Sequence, residues 1–289
     1  MNSRGLQRRR RKSVKKRLAR ILPKSLKTFL KKIYYFPGEI IDQLGRRDSM
    51  IPPRGMIFIG AGDFEQIGKD FKKHFIELGN LQPGDRVLDV GCGIGRMAIP
   101  LTSYLSQEGE YWGFDIVKQG IEWCQRRISP KYGNFHFLHS DIYNKEYNPK
   151  GKLQAREYKF PFEDQFFDFV FLTSVFTHML PADMENYVSE IGRVLKRGGK
   201  CMVTFFLLND ESTNLIRTGN STLDFRYEVE GCLTTDKNTP EDAIAYDEKF
   251  VKRLFDKHGL MITQPIHYGS WCKRPDFFEY QDLIVAEKQ

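Results

Sequence analysis

The stretch 87–97, VLDVGCGIGRM, constrains this chain more than any other. Three glycines alternate in GCGIG, directly behind an apolar run that ends in Asp89 and Val90. Alternating glycines supply backbone conformations that side-chain-bearing residues avoid. A glycine turn between a strand and a helix is where open α/β sheets receive nucleotide-like ligands.

The flanking sequence keeps the rhythm this turn implies. The runs 86–90, 111–116, 135–140, 167–172 and 201–208 read as strands, apolar on both faces. Helical spacing fills 66–78, the stretch from the glycine turn to about 105, the stretch from the second strand to about 128, and 182–195. Strands of this kind, alternating with helices, predict a parallel sheet covered on both faces. Residues 209–245 break the rhythm and are too long for an ordinary connection. A helix at 247–257 and strands at 260–267 and 280–287 close the chain. The last two strands are too close in sequence for a helical crossover, so they pair antiparallel.

The net charge of +8 conceals two regions. The first 32 residues hold fourteen Lys and Arg and no acid, leaving 31 basic against 37 acidic residues over the rest. Residues 1–50 are therefore a basic extension, IPPRG (51–55) is a linker, and 55–289 form a mildly acidic body. Apolar residues at helical spacing within 14–36, broken at Pro23, predict short basic amphipathic segments. Such segments suit an anionic membrane surface; a protein partner, packing on the body, or nucleic acid are the other readings, and nucleic acid has least support. Five widely spaced cysteines without a CxxC argue against a disulfide framework or structural zinc, and point to a reducing, cytoplasmic setting, peripheral on the membrane's inner face if the tail binds there. No apolar run is long enough to span a bilayer. His136 and His139 stand three apart on a strand, on opposite faces, so no shared metal is expected.

The glycine spacing identifies the ligand class. A dinucleotide turn reads GxGxxG; here Gly91, Gly93 and Gly95 form GxGxG. A carboxylate at Asp89 would repel a pyrophosphate, whereas a ligand with a cationic amino-acid end suits it. VLDVGCGIG resembles the first motif of class I S-adenosylmethionine-dependent methyltransferases. GFD (113–115), HSDI (139–142), FDFVFLTSVFTHML (167–180) and LKRGGK (195–200) resemble the family's later elements, in its order, over about 60–289. The resemblance implies an α/β fold with a seven-stranded, mostly parallel sheet of order 3-2-1-4-5-7-6, its last strand antiparallel, and S-adenosylmethionine as cofactor. It implies that Gly91, Cys92, Gly93 and Gly95 line the ligand and that Asp89 organises its amino-acid end. Asp115 is expected on the ribose hydroxyls, Ile116 on one adenine face, Asp141 on the adenine amine, and the Ile142 N–H on the adenine edge. Thr173 and Ser174 would border the methionine end, and Phe64 in GAGDF (60–64) would belong to a lid. Turn or helix capping is the alternative for Asp89, Asp115 and Asp141.

The acceptor is less constrained. The tetrapeptide after strand four reads LTSV, unlike the NPPY of adenine and glutamine N-methylators of this fold. A small-molecule, sugar or lipid-linked glycan acceptor, methylated at oxygen, fits better. His178 is the first candidate for its base; His267 and Tyr268 follow. Residues 209–245 and 269–282 combine aromatic and polar side chains and are expected to recognise the acceptor. Three rival readings stand beside this one: an RNA methyltransferase guided by the basic tail, a cofactor-binding protein without activity, and a nicotinamide-dependent oxidoreductase.

Overall fold

A computed structural model describes residues 48–60 and 62–289. The chain divides into two compact units, Met1–Gly60 and Ala61–Gln289. In the first, a short 3-10 turn is formed at Arg54–Met56. The expected amphipathic segments at 14–36 lie outside the described residues. No described helix is long and apolar enough to cross a membrane.

The strands of the second unit, in chain order, are β1 (Arg86–Val90), β2 (Glu110–Asp115), β3 (Phe135–His139), β4 (Phe167–Leu172), β5 (Leu195–Phe205), β6 (Leu207–Leu208), β7 (Tyr227–Val229), β8 (Cys232–Thr234), β9 (Ile244–Asp247), β10 (Leu260–Ile262) and β11 (Asp282–Lys288). Seven of them form one sheet of order β10-β11-β5-β4-β1-β2-β3. β1 pairs parallel with β2 and β4, and β11 pairs antiparallel with β5 and β10. This is the expected 3-2-1-4-5-7-6 order, with β11 and β10 as the last and penultimate strands.

Helices cover both faces, which is why the central strands β1 and β4 carry apolar residues on both sides. On one face α1 (Phe64–Glu77) seats Phe75 against Phe169 and Phe171 of β4, with ring centroids 5.5 and 4.2 Å apart. Asp63 starts this helix by accepting from the N–H groups of Glu65 and Gln66. On the other face Met184, Tyr187, Val188 and Ile191 of α4 (Pro181–Val194) join Leu88, Val90, Val170 and Leu172 in one core. α3 (Lys118–Arg127) follows β2. The helix expected from the glycine turn to about 105 is shorter, α2 (Ala98–Leu101), followed by hydrogen-bonded turns to Leu105. Pro100 lacks the N–H that a longer regular helix would use.

The irregular stretch 209–245 is more ordered than its sequence suggests. It begins with α5 (Asp210–Arg217), which Asn209 and Ser212 cap reciprocally. β7 and β8 form a hairpin across Glu230 (φ 52°) and Gly231 (φ 84°), two left-handed residues as a tight hairpin turn requires. With β6 and β9 they make a second sheet of order β6-β9-β8-β7. Strands of two to four residues are too short to show an apolar period. The chain then enters α6 (Glu248–Lys257), capped by Asp247.

Candidate functional site

The glycine turn follows β1 at the carboxyl end of the parallel strands, where open α/β sheets receive ligands. All three glycines are left-handed: Gly91 at φ 86°, Gly93 at 59° and Gly95 at 84°. Close packing adds a second requirement. A Cβ at Gly91 would stand 2.5 Å from Val175 Cγ2, and one at Gly95 2.9 Å from Cys124 Sγ. Cys92 is buried, and desolvation pushes its thiol pKa well up, which favours the neutral thiol.

Asp115 closes the turn from the next strand. Its Oδ2 accepts from the Gly93 N–H at 2.8 Å and its Oδ1 from the Val117 N–H at 2.7 Å. Burial raises its pKa, while the two backbone N–H donors pull the other way. Each oxygen keeps capacity for a further donor.

Asp89 is fully buried. Tyr111 donates its hydroxyl to Oδ2 at 2.6 Å, while Oδ1 is buried without a hydrogen-bond partner among the described residues. Desolvation pushes the Asp89 carboxyl up to about 8; Tyr111 and the Arg96 charge oppose the rise and Asp115 adds to it. Arg96 is in turn lowered by burial and supported by Asp89, and its Nε is also buried and unpartnered among the described residues. Two groups of opposite charge with unmet hydrogen-bonding capacity thus flank the glycine turn in sequence.

Beside this, a cleft of about 510 Å³ is lined by Ile116, Val117, Lys118, His139, Asp141, Tyr147 and Asn148. Asp141 Oδ1 accepts from Asn148 Nδ2 at 3.3 Å. Ile142 departs from expectation. Its N–H donates to the Ser140 carbonyl at 2.8 Å and its side chain is buried in the core, because the chain turns tightly at the end of β3. The Ile142 N–H is therefore engaged within the turn rather than offered to a ligand. Phe64, half-buried, opens α1. A Cβ on Gly68, one turn later, would stand 2.5 Å from the Arg96 carbonyl, so the first turns of α1 lie against the end of the glycine turn.

Beyond β4, Thr173 is half-buried and Ser174 is left-handed at φ 59°. The Ser174 N–H donates to Thr204 Oγ1 at 2.8 Å and its hydroxyl to Gln281 Oε1 at 2.9 Å. His178 places Nδ1 2.7 Å from the Glu241 carbonyl. His267 sits near His74, its ring 4.7 Å from Phe278; burial and His74 lower its pKa. Tyr268 donates to Glu248 Oε2 at 2.9 Å under the Arg274 guanidinium, and burial with Glu248 pushes its phenol to about 12. Tyr268 is thus held as a donor, unlike a base. His178 and His267 have different surroundings: the first meets the Glu241 carbonyl, the second the Phe278 ring.

Sequence reasoning missed Tyr111, Arg96, Tyr147, Asn148 and Gln281. Tyr111 was within reach of it. Asp89 pairs with Gly113 on β2, and Tyr111 stands two residues before that glycine on the same face. The others arrive from loops, and their positions follow no period. Among the described residues no cluster of three or more His, Cys, Asp or Glu forms a metal-binding group.

The sheet order, the left-handed glycine turn and the acid at the end of β2 together define a Rossmann-like ligand-binding α/β protein. Residues 88–203 match the family model for a methyltransferase domain. Over that stretch the chain is similar to methyltransferase domains. The demethylmenaquinone methyltransferase of Staphylococcus epidermidis is 29% identical over 136 residues, 47% of this chain and 48% of that protein. The sterol 24-C-methyltransferase of Schizosaccharomyces pombe is 32% identical over 131 residues, 45% of this chain and 30% of that protein. The chain therefore matches about half or less of the length of these relatives. The crystal structure of the PH0226 protein from Pyrococcus horikoshii OT3 shares the fold, with a TM-score of 0.55 at 18% identity, covering 81% of this chain and 95% of that one.

Proposed function

We propose that this protein transfers a methyl group from S-adenosylmethionine to a small-molecule acceptor. The observation that carries the reading is the Asp115 clamp on Gly93 beside a buried, half-partnered Asp89. When bound, S-adenosylmethionine supplies an activated methyl group on a sulfonium, so the protein's tasks are binding, alignment and exclusion of water. The residues present fit it. Asp115 retains lone pairs for ribose hydroxyls, and Asp89 with Arg96 offers both charges to an amino-acid end. The cleft of Ile116, Asp141 and Asn148 offers an apolar face and polar edges to a purine. Thr173 and Ser174 are the candidates for the methionine end.

For the acceptor we favour oxygen methylation of a small molecule, sugar or lipid-linked glycan, with His178 as base. Support comes from the Nδ1 contact with Glu241, which leaves Nε2 as the lone-pair atom. Exposed Phe277, Phe278 and Tyr280 offer rings for stacking. Carbon methylation is the second reading, favoured by the names of the relatives, which include a demethylmenaquinone and a sterol 24-C-methyltransferase.

Calorimetry with S-adenosylmethionine and with NADH tests the donor. Binding of the first and not the second is expected; tight NADH binding alone would overturn the reading. Labelled methyl transfer into lipid, glycan, RNA and protein pools of a cell extract, with mass spectrometry of the product, identifies the acceptor atom. Label confined to RNA would replace the small-molecule reading, and label on carbon would remove the need for His178.

A further inference from the structure

The donor site does not account for residues 236–242. His178 ends the 3-10 turn Phe176–His178 behind β4, and its Nδ1 meets the Glu241 carbonyl at 2.7 Å. A carbonyl oxygen only accepts, so Nδ1 carries a proton and, in the neutral ring, Nε2 has the lone pair. Glu241 belongs to a second 3-10 turn, Pro240–Asp242, on the strap between β8 and β9.

This strap is anchored along its length. The buried Thr234 donates Oγ1 to the Pro240 carbonyl at 2.8 Å. Thr239 Oγ1 donates to Asp242 Oδ2 at 2.8 Å, and Asp236 Oδ1 accepts from the Asn238 N–H at 3.0 Å. Lys145 donates Nζ to the Asn238 carbonyl at 3.1 Å. Lys145 lies in the loop that also gives Tyr147 and Asn148 to the donor cleft. The strap therefore joins the loop lining the donor cleft to the turn that carries His178.

We propose that the strap 236–242 is a positioning element of the acceptor site: the Glu241 carbonyl holds His178 in its Nδ1–H tautomer, so that Nε2 receives the acceptor's proton. This rests on the reading of His178 as the base. In that step the acceptor O–H bond breaks, its electron pair stays on oxygen, and the proton forms a new N–H bond with the Nε2 lone pair. The Nδ1–H contact to the Glu241 carbonyl can be kept in both states of the ring, because Nδ1 carries a proton in each. Thr234 acts through the strap and touches neither ring nor acceptor.

The test uses the full chain labelled with ¹⁵N at histidine, with His178→Gln assigning the signals. Neutral His178 is expected to show a protected Nδ1–H and an unprotonated Nε2. An Nε2–H tautomer, or a rapidly exchanging mixture, overturns the proposal whatever the activity. Thr234→Val should lose the protected signal and lower kcat on the order of tenfold, with S-adenosylmethionine affinity unchanged. Thr234→Ser should restore both. A Thr234→Val protein that keeps signal and rate overturns the role of the strap. Label transfer into the accepting extract pool separates the underlying reading. His178→Gln at full rate overturns the base and the Nε2 proton step, while the tautomer is judged on the wild-type spectrum alone.

Discussion

Tyr111 donates its hydroxyl to Asp89 Oδ2 at 2.6 Å between two adjacent parallel strands, while Asp89 Oδ1 has no hydrogen-bond partner among the described residues. Burial outweighs it, and the carboxyl is pushed up to about 8. A cation at the donor's amino-acid end favours the ionised form. Binding at neutral pH is therefore expected to release a proton from Asp89, and affinity should rise with pH toward 8. Well below 8 the rise approaches tenfold per pH unit for one released proton. The check is calorimetry between pH 6 and 7.5 in buffers of different ionisation enthalpy, a window in which an α-amino group of pKa about 7.7–8.0 is mostly charged. Asp89→Asn should abolish the proton release. A wild-type protein that binds without releasing protons would remove Asp89 from the ligand's electrostatics.

The same burial acts on stability. Asp89 is raised in the folded state, so between about 4, where the unfolded carboxyl ionises, and about 8 the folded protein holds the extra proton. Stability must then fall as pH rises through that window and level off above it. Asp85 and Asp115 are also raised and act in the same direction. Thermal unfolding without ligand should give a higher Tm near pH 5 than near pH 8. Asp89→Asn should shrink the difference without removing it, and an unchanged difference would place the pH dependence elsewhere.

Asp115 accepts two backbone N–H groups at the point where β2 meets the glycine turn. Asp115→Ala is expected to weaken S-adenosylmethionine binding by about 1–3 kcal/mol, the loss of charge-assisted hydrogen bonds. Asp115→Asn should fall between, because its amide nitrogen cannot accept from Gly93 or Val117. Titration of the three proteins decides, and equal affinities would exclude Asp115 from the donor site.

The basic extension yields a separate expectation. Full-length protein should sediment with anionic vesicles, and loss of residues 1–32 should abolish this while leaving S-adenosylmethionine binding intact. Salt-sensitive RNA binding without vesicle binding would favour the nucleic-acid reading of the tail instead.

How much of this was legible in the sequence depended on the kind of order involved. β1 and β4 span the residues read as strands, 86–90 and 167–172, because a strand buried on both faces shows as a short, mostly apolar run without a period. The turn after β1 could be read from Gly91, Gly93 and Gly95, since left-handed backbone at all three and close packing at Gly91 and Gly95 leave little choice of residue. The Ile142 N–H could not, because a local turn claims it. His178 was legible as a histidine just past β4, but its partner, the Glu241 carbonyl, is backbone and leaves no trace in residue type. The second sheet was hidden by strands shorter than one readable period.

Asp282 shows what holds the acceptor-side connection onto the sheet. It is fully buried at the start of β11 and accepts from the N–H of Leu207 at 2.6 Å, the N–H of Gly269 at 2.7 Å and Trp271 Nε1 at 2.7 Å. Arg274 Nη1 adds a charged contact at 3.3 Å, and Arg274 in turn binds Glu211 of α5 at 2.6 Å. One carboxylate thus gathers the start of β6, the 269–274 segment and, through Arg274, the helix after β6. Removing it leaves several donors and a guanidinium buried without their partner, a loss of about 3–5 kcal/mol for a broken buried pair. Asp282→Ala is therefore expected to lower the unfolding free energy by that amount in a denaturant titration. Asp282→Asn should recover part of it, since one amide oxygen still accepts while the amide nitrogen faces donors. A loss below about 1 kcal/mol, the size of an ordinary hydrogen bond, would mean that water or a neighbouring acceptor replaces the carboxylate, and that the connection is held by the packing of Trp271 against Phe206 and Phe225 instead.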